Sequence, residues 1–143
     1  DAAELEQALK NNPDDPVLHF EMGNLYLSRG DLSQAINQFE NALTIQPDYS
    51  QALNNLAMAY AADKQYDKAL DAFKKMTALQ PVNASHYYNV AVLYALQTKV
   101  RESIEWLKKA IDKGYTNWEL IKTDKDLENI RNSAEYKELI KRH

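Results

Sequence analysis

The amino-acid sequence predicts an all-α fold, a solenoid built from antiparallel helix pairs. This prediction depends on a 34-residue internal period, apolar residues at helical spacing within each period, and a scarcity of helix breakers. Only three glycines and four prolines occur among 143 residues, which suits helices joined by short turns. The composition is 45% hydrophobic and 27% charged, so the chain has enough apolar surface for a core.

Equivalent residues recur every 34 positions. The most regular column holds Tyr26, Tyr60 and Tyr94. Further columns hold Met22, Leu56 and Val90; Gly23, Ala57 and Ala91; Ala35, Ala69 and Ser103; and Phe39, Phe73 and Leu107. Small residues let two helices approach closely, and large residues fill the space beside them. Pro47 and Pro81 end two of the units, because the residue before a proline avoids helical geometry.

This pattern resembles the tetratricopeptide-repeat family, whose units are helix–turn–helix pairs of 34 residues. The resemblance implies a right-handed superhelix and one domain over residues 1–143. The predicted repeats are 16–49, 50–83 and 84–117. The position that usually holds tryptophan in this family holds His19, Leu53 and Tyr87. Gly30 and Asp31 mark the turn inside the first repeat.

The N-terminal residues 1–15 are predicted to form half a repeat or a cap. Leu5 and Ala8 precede Phe39 and Ala42 by 34 positions, which makes this segment similar to the second helix of a pair. One interpretation is that the chain is a fragment of a longer solenoid. The other is that the helix is a natural N-terminal cap, although such caps tend to depart from the repeat pattern.

The C-terminal residues 118–143 break the period and predict two or three short capping helices. Gly114 is expected to stop the preceding helix, and Thr116 with Glu119 predicts a capping box. The apolar residues that would cover the last repeat are Trp118, Leu127, Ile130, Tyr136 and Leu139. The segment resembles the closing cap of many bacterial tetratricopeptide proteins.

Composition and motifs argue against catalysis, metal binding and nucleic-acid binding. The net charge is −4, and no Lys/Arg cluster stands out in the sequence, whereas phosphate binding needs a basic face. The chain has no cysteine, its three histidines are scattered, and its glycines form no phosphate-binding loop. We therefore expect no catalytic residue, no metal and no cofactor.

Composition leaves the compartment of the protein open. No apolar run approaches the roughly 20 residues that span a bilayer, so we expect no direct membrane insertion. The protein is expected to be soluble and cytoplasmic, or periplasmic or exported if a signal segment has been removed.

The family resemblance places a peptide-binding groove on the first helices of the repeats. The register carries twelve residues onto that face: Val17, Phe20, Asn24, Leu27, Gln51, Asn54, Asn55, Met58, Ser85, Tyr88, Asn89 and Val92. Apolar side chains alternate there with amides, which donate and accept hydrogen bonds and so match a peptide backbone. The alternative interpretation is that the amides bond between helices or simply face solvent.

One subclass of the family binds chaperone C-termini through a two-carboxylate clamp of Lys, Asn, Asn, Lys and Arg. The corresponding positions here hold Phe20, Asn24, Asn55, Ser85 and Asn89. Both asparagines match, but all three cations are missing, and a carboxylate without a cation loses its strongest partner. A chaperone-tail cochaperone is therefore not expected.

The predicted function is a scaffold or adaptor that binds a peptide segment of a partner protein in the concave groove. The alternatives are a self-association module, in which Leu5, Ala8 and Leu9 form a homo-oligomer contact, and an accessory domain of a larger protein with its activity elsewhere. The identity of the partner does not follow from the fold.

Overall fold

The computed structural model describes residues 1–143 and is helical throughout, which confirms the all-α prediction. The helices are α1 (Ala2–Asn11), α2 (Pro16–Ser28), α3 (Leu32–Ile45), α4 (Ser50–Ala62), α5 (Tyr66–Leu79), α6 (Ala84–Leu96), α7 (Val100–Asp112), α8 (Trp118–Thr123), a 3-10 helix (Lys125–Ile130) and α9 (Ala134–Lys141). Their contacts divide the chain into two compact units, unit 1 (Asp1–Ala72) and unit 2 (Phe73–His143).

The helix boundaries follow local capping chemistry. The first helices α2, α4 and α6 begin at Pro16, Ser50 and Ala84, at intervals of 34 residues. Asp15 caps α2, because its Oδ1 accepts a hydrogen bond from the Val17 N–H at 2.9 Å. The second helices α3 and α5 end at Ile45 and Leu79, each two residues before a proline, as the sequence predicts.

The turns inside the three helix pairs share one conformation. Gly30, Lys64 and Thr98 occupy equivalent positions and have left-handed φ angles of 76°, 60° and 58°. In each turn the next N–H donates back to the carbonyl of the repeated tyrosine: Asp31 to Tyr26 (3.0 Å), Gln65 to Tyr60 (2.8 Å) and Lys99 to Tyr94 (2.9 Å). This is the Schellman arrangement, which supplies partners for the last carbonyl groups of a helix.

The core of unit 1 forms where α2 crosses α3. A Cβ placed on Gly23 would lie 2.5 Å from Cε1 of Phe39, and the Phe39 side chain has no exposed surface. The absence of a side chain at Gly23 therefore lets the phenylalanine ring lie directly against the α2 backbone. Phe20 extends this packing, since its ring centroid lies 6.0 Å from Phe39 and 5.1 Å from Tyr49.

The core of unit 2 joins α6 and α7 to the C-terminal helices. Leu107, Ile121, Leu127 and Ile130 are all fully buried in one cluster. Burying each of these aliphatic side chains is worth roughly 1.5–3 kcal/mol. The C-terminal segment, with two α-helices and one 3-10 helix, therefore contributes to the core of this unit.

The start of α8 corrects one expectation from the sequence. Asn117, and not Thr116, is the N-cap residue, because its Oδ1 accepts a hydrogen bond from the Leu120 N–H at 3.1 Å. Thr116 lies one residue too early, and its carbonyl accepts instead from the Trp118 N–H at 2.9 Å. Gly114, by contrast, follows the C-cap residue Lys113 of α7 and has a φ of 99°, as the predicted helix stop requires.

Candidate functional site

The first-helix face of unit 1 joins α2 to α4 through two asparagines. Nδ2 of Asn55 donates to Oδ1 of Asn24 at 2.8 Å. The bond uses one N–H of Asn55 as its donor and Oδ1 of Asn24 as its acceptor. Both side chains are half-buried. The inter-helix interpretation therefore accounts for one hydrogen bond of each amide, and an amide group can make more than one.

Apolar surface flanks this amide pair. Met58 is 55% exposed and Val17 is 46% exposed, so both present large hydrophobic side chains to solvent. Asn54 lies one turn before Met58 and its Nδ2 lies 3.7 Å from the methionine sulfur. Phe20 and Leu27 are half-buried and Gln51 is exposed on the same helices. The eight positions predicted on α2 and α4 thus combine exposed apolar groups with amides.

The predicted positions in unit 2 differ from one another in exposure. Ser85 is exposed, while Asn89 and Val92 on α6 are half-buried. Tyr88 takes a different position from the one that the register predicts, since only 4% of it is exposed. Its ring stacks on Tyr115 with centroids 4.4 Å apart, and the C-terminal segment covers it. Tyr88 therefore presents almost no surface to a ligand.

A hydrogen bond to Asp124 holds Tyr88 in that position. The tyrosine hydroxyl donates to Oδ2 of Asp124 at 2.5 Å. Burial, and secondly this hydrogen bond, raises the pKa of Tyr88 above its ordinary value. Oδ1 of Asp124 also accepts from the Asp126 N–H at 2.9 Å and so caps the 3-10 helix. Repeat columns could not reveal this contact, because Asp124 lies in the segment that breaks the period.

The two buried histidines make local bonds. His19 has Oε1 of Gln38 at 2.8 Å from Nδ1 and the Pro13 carbonyl at 2.7 Å from Nε2. His86 has Oε1 of Gln80 at 2.9 Å from Nε2, and burial lowers the pKa of its imidazole. No group of three or more His, Asp or Glu side chains is placed to hold a metal ion. No helix combines the length and the apolar character needed to cross a bilayer.

The class of protein follows from these helix pairs and from a family comparison. The family model for the tetratricopeptide repeat matches residues 20–84 and 65–116, which together cover more than half of the chain. The chain therefore belongs to the tetratricopeptide-repeat family, whose members bind protein or peptide partners.

Solved structures of the same fold include MamA proteins and YrrB. A MamA crystal structure is 18% identical with a TM-score of 0.75, and the match covers 87% of this chain and 66% of that chain. MamA 41-end from Desulfovibrio magneticus RS-1 is 21% identical with a TM-score of 0.73, and the match covers 96% of this chain and 82% of that one. YrrB, described as a TPR protein with an unusual peptide-binding site, is 19% identical with a TM-score of 0.66, at 80% and 59% coverage. The likeness confirms the helix-pair solenoid fold, and this chain spans less than two thirds of the first MamA structure and of YrrB.

Proposed function

We propose that this chain is a non-enzymatic interaction module that binds a peptide segment of a partner protein on the α2–α4 face of unit 1. The observation that carries the proposal is the half-buried Asn55–Asn24 pair, one turn of α4 from the exposed Met58 side chain, because each amide can make hydrogen bonds beyond the one that joins them. A peptide backbone offers the complementary acceptor and donor, and an apolar residue of the peptide can cover the methionine. The half-buried amide of Asn89, on α6 of unit 2, is proposed to offer the same donor and acceptor chemistry to a peptide.

Charge plays little part in this binding mode. The eight positions on α2 and α4 contain no lysine or arginine, so the expected ligand is a peptide with apolar anchors and few charges. Its affinity should therefore change little with salt, because screening acts on charge pairs.

The test begins with a peptide selected from a random display library against the wild-type protein. Backbone NMR shifts of the labelled protein should change mainly on α2 and α4 when this peptide is added. Met58→Glu should weaken binding by at least about tenfold, since it replaces an apolar contact with a charge. Val82→Glu is the matched control, because Val82 is 84% exposed and lies outside this face. Equal losses in both variants, or shifts confined to other helices, would contradict the proposal.

Self-association is the second candidate, and one observation favours it. Leu5 stands at the repeat position of Phe39, Phe73 and Leu107, which are at most 4% exposed. Leu5 itself is only half-buried, and α1 contains no buried residue. Sedimentation at increasing concentration should then show association that disappears in Leu5→Glu. A monomer at every concentration would remove this candidate.

A further inference from the structure

Three lysines and three aromatic rings converge in unit 2. The Trp106 cluster consists of Trp106, Tyr87, Tyr94, Lys74, Lys109 and Lys113. Nζ of Lys109 lies 4.0 Å from the Trp106 ring centroid, and Nζ of Lys74 lies 5.7 Å from it. Lys74 also donates to the Tyr94 hydroxyl at 2.5 Å. Lys113 lies 5.6 Å from the Tyr87 ring, whose centroid is 5.9 Å from that of Trp106.

Within unit 2, the lysines of this cluster form no ion pair, since the ion pair there joins Glu138 to Arg142. The acids Glu102, Glu105 and Asp112 share α7 with the cluster, but none forms an ion pair with its lysines. Aromatic rings attract cations without cancelling their charge. Three cations therefore remain available to an external anion.

Repeat packing does not require a tryptophan at this place. The equivalent residues of Trp106 in the two preceding pairs are Gln38 and Ala72, and Ala72 is only 5% exposed. An alanine is therefore large enough to complete the packing at that position. Trp106 is half-buried against the core of unit 2, so part of its side chain remains exposed.

The helix dipole explains only part of the cluster. Lys109 lies in the last turn of α7 and Lys113 is its C-cap residue, where cations stabilise the exposed carbonyls. Lys74 instead lies in the middle of α5, where the dipole offers no stabilisation. Its equivalent in the preceding pair is Glu40, which has the opposite charge and accepts a hydrogen bond from Tyr60 at 2.8 Å.

The cluster belongs to the basic half of an acidic protein. Residues 1–72 contain 12 acidic and 4 basic side chains, a net charge of −8. Residues 73–143 contain 9 acidic and 13 basic side chains, a net charge of +4, and the two values add to the −4 of the whole chain. Unit 2 is therefore positively charged and attracts anions, although the net charge of the whole chain is negative.

We propose that the Trp106 cluster is a second binding site, and that its ligand is an acidic peptide segment rich in Asp and Glu. Carboxylates of the peptide pair with Lys74, Lys109 and Lys113, and a side chain of the peptide covers the exposed part of the indole. Three lysines can pair with a short run of carboxylates, whereas binding of a nucleic-acid backbone needs a longer stripe of basic residues. This site lies outside the α2–α4 face and does not depend on the function proposed for it.

The experiment uses octaglutamate as the probe and Trp106 fluorescence as the signal, in a Trp118→Phe background. Octaglutamate should change the fluorescence with a dissociation constant that rises at least about tenfold between about 50 and about 500 mM NaCl. Lys109→Glu combined with Lys113→Glu should raise the constant at least about tenfold at low salt. Lys122→Glu with Lys125→Glu is the matched control, because it makes the same charge change on exposed lysines of unit 2 outside the cluster, and it should raise the constant less than about threefold.

Three outcomes would overturn the proposal. Absence of an octaglutamate signal at low salt would show that the cluster does not take carboxylates. Equal weakening in both double variants would show diffuse attraction to a basic unit and not a site. Association of the protein with itself that Lys109→Glu with Lys113→Glu abolishes would assign the cluster to a second copy. Circular dichroism melting of every variant, with Lys109→Ala and Lys113→Ala as milder replacements, separates binding from unfolding.

Discussion

Lys64 takes the same left-handed backbone conformation as Gly30, one repeat further along the chain, with φ angles of 60° and 76°. Thr98 repeats this conformation at 58°. Side chains with a Cβ are strained in this region, and a β-branched side chain is strained most. In two of the three equivalent turns, the residue with the left-handed φ, Lys64 or Thr98, is therefore one that disfavours this conformation.

Replacing either strained residue with glycine should stabilise the protein. We expect Lys64→Gly and Thr98→Gly each to raise the free energy of unfolding by about 0.5–1 kcal/mol, because the relieved strain exceeds the greater freedom of glycine in the unfolded chain. Both side chains are exposed, so no core contact is lost. Urea denaturation measures the change. Asp63→Gly is the control, and it should destabilise, since the φ of Asp63 is −85°.

Gly23→Ala should be destabilising by about 1–3 kcal/mol, because its Cβ would enter the space of the Phe39 ring. The equivalent first-helix residues Ala57 and Ala91 already carry a Cβ. A smaller side chain at position 39 should make room, so Phe39→Leu combined with Gly23→Ala should lose less than the sum of the two single losses. Additive losses in a double-mutant cycle would show that the ring is not the obstacle.

Tyr88→Phe should weaken the attachment of the C-terminal segment by about 1–2 kcal/mol at neutral pH, because it removes the hydrogen bond to Asp124. The effect should depend on pH. The raised pKa means that the unfolded chain loses the Tyr88 proton first, once the pH passes the ordinary value of 10.0. The stability linked to this group is therefore complete below that pH and is lost above it.

Stability curves of the wild type and Tyr88→Phe provide the pH measurement. The difference in free energy of unfolding between the two proteins should narrow as the pH rises from about 9 to about 11. Parallel curves over that interval would mean that the hydroxyl does not stay protonated in the folded protein.

The amides of the first helices should contribute to binding beyond their own inter-helix bond. Asn24→Ala and Asn55→Ala should each cost about 0.5–1.5 kcal/mol of affinity for the library-selected peptide. Asn37→Ala, on an exposed part of α3, is the control. Titrations and melting curves are compared for all three variants. Losses of stability that match the losses of affinity would make these amides structural.

The fold was largely predictable because the residues that recur every 34 positions are the residues that pack between the helices. Columns such as Tyr26, Tyr60 and Tyr94 locate the helix pairs, and Pro47 and Pro81 locate their ends. The left-handed residues Lys64 and Thr98 carry no such signal, since neither is glycine. Asn117 was missed as a helix cap, because Thr116 with Glu119 fits the capping-box pattern, whereas Asn117 is followed three residues later by Leu120.

The sites were less predictable because they depend on contacts outside the repeat. Tyr88 fits the groove register, but its burial comes from Tyr115 and Asp124, which have no repeat partner. The Trp106 cluster joins lysines from α5 and α7 that are 35 residues or more apart in the chain. The sequence did contain one signal for this cluster, because Trp106 is a tryptophan at a repeat position that holds Gln38 and Ala72 in the other two pairs.

The exchange of Glu40 for Lys74 at one repeat position has a consequence for engineering. Tyr60 donates to Glu40, whereas Lys74 donates to Tyr94, so the same pair of positions works with either sign of charge. The buried residues of the repeat columns determine how the helices stack, whereas residues at outer positions, such as Glu40 and Lys74, differ between repeats. A chimera that takes the second helix of one pair from another pair should therefore keep the helix packing of the host and carry the surface charges of the donor, so the helix pairs can be exchanged as modules.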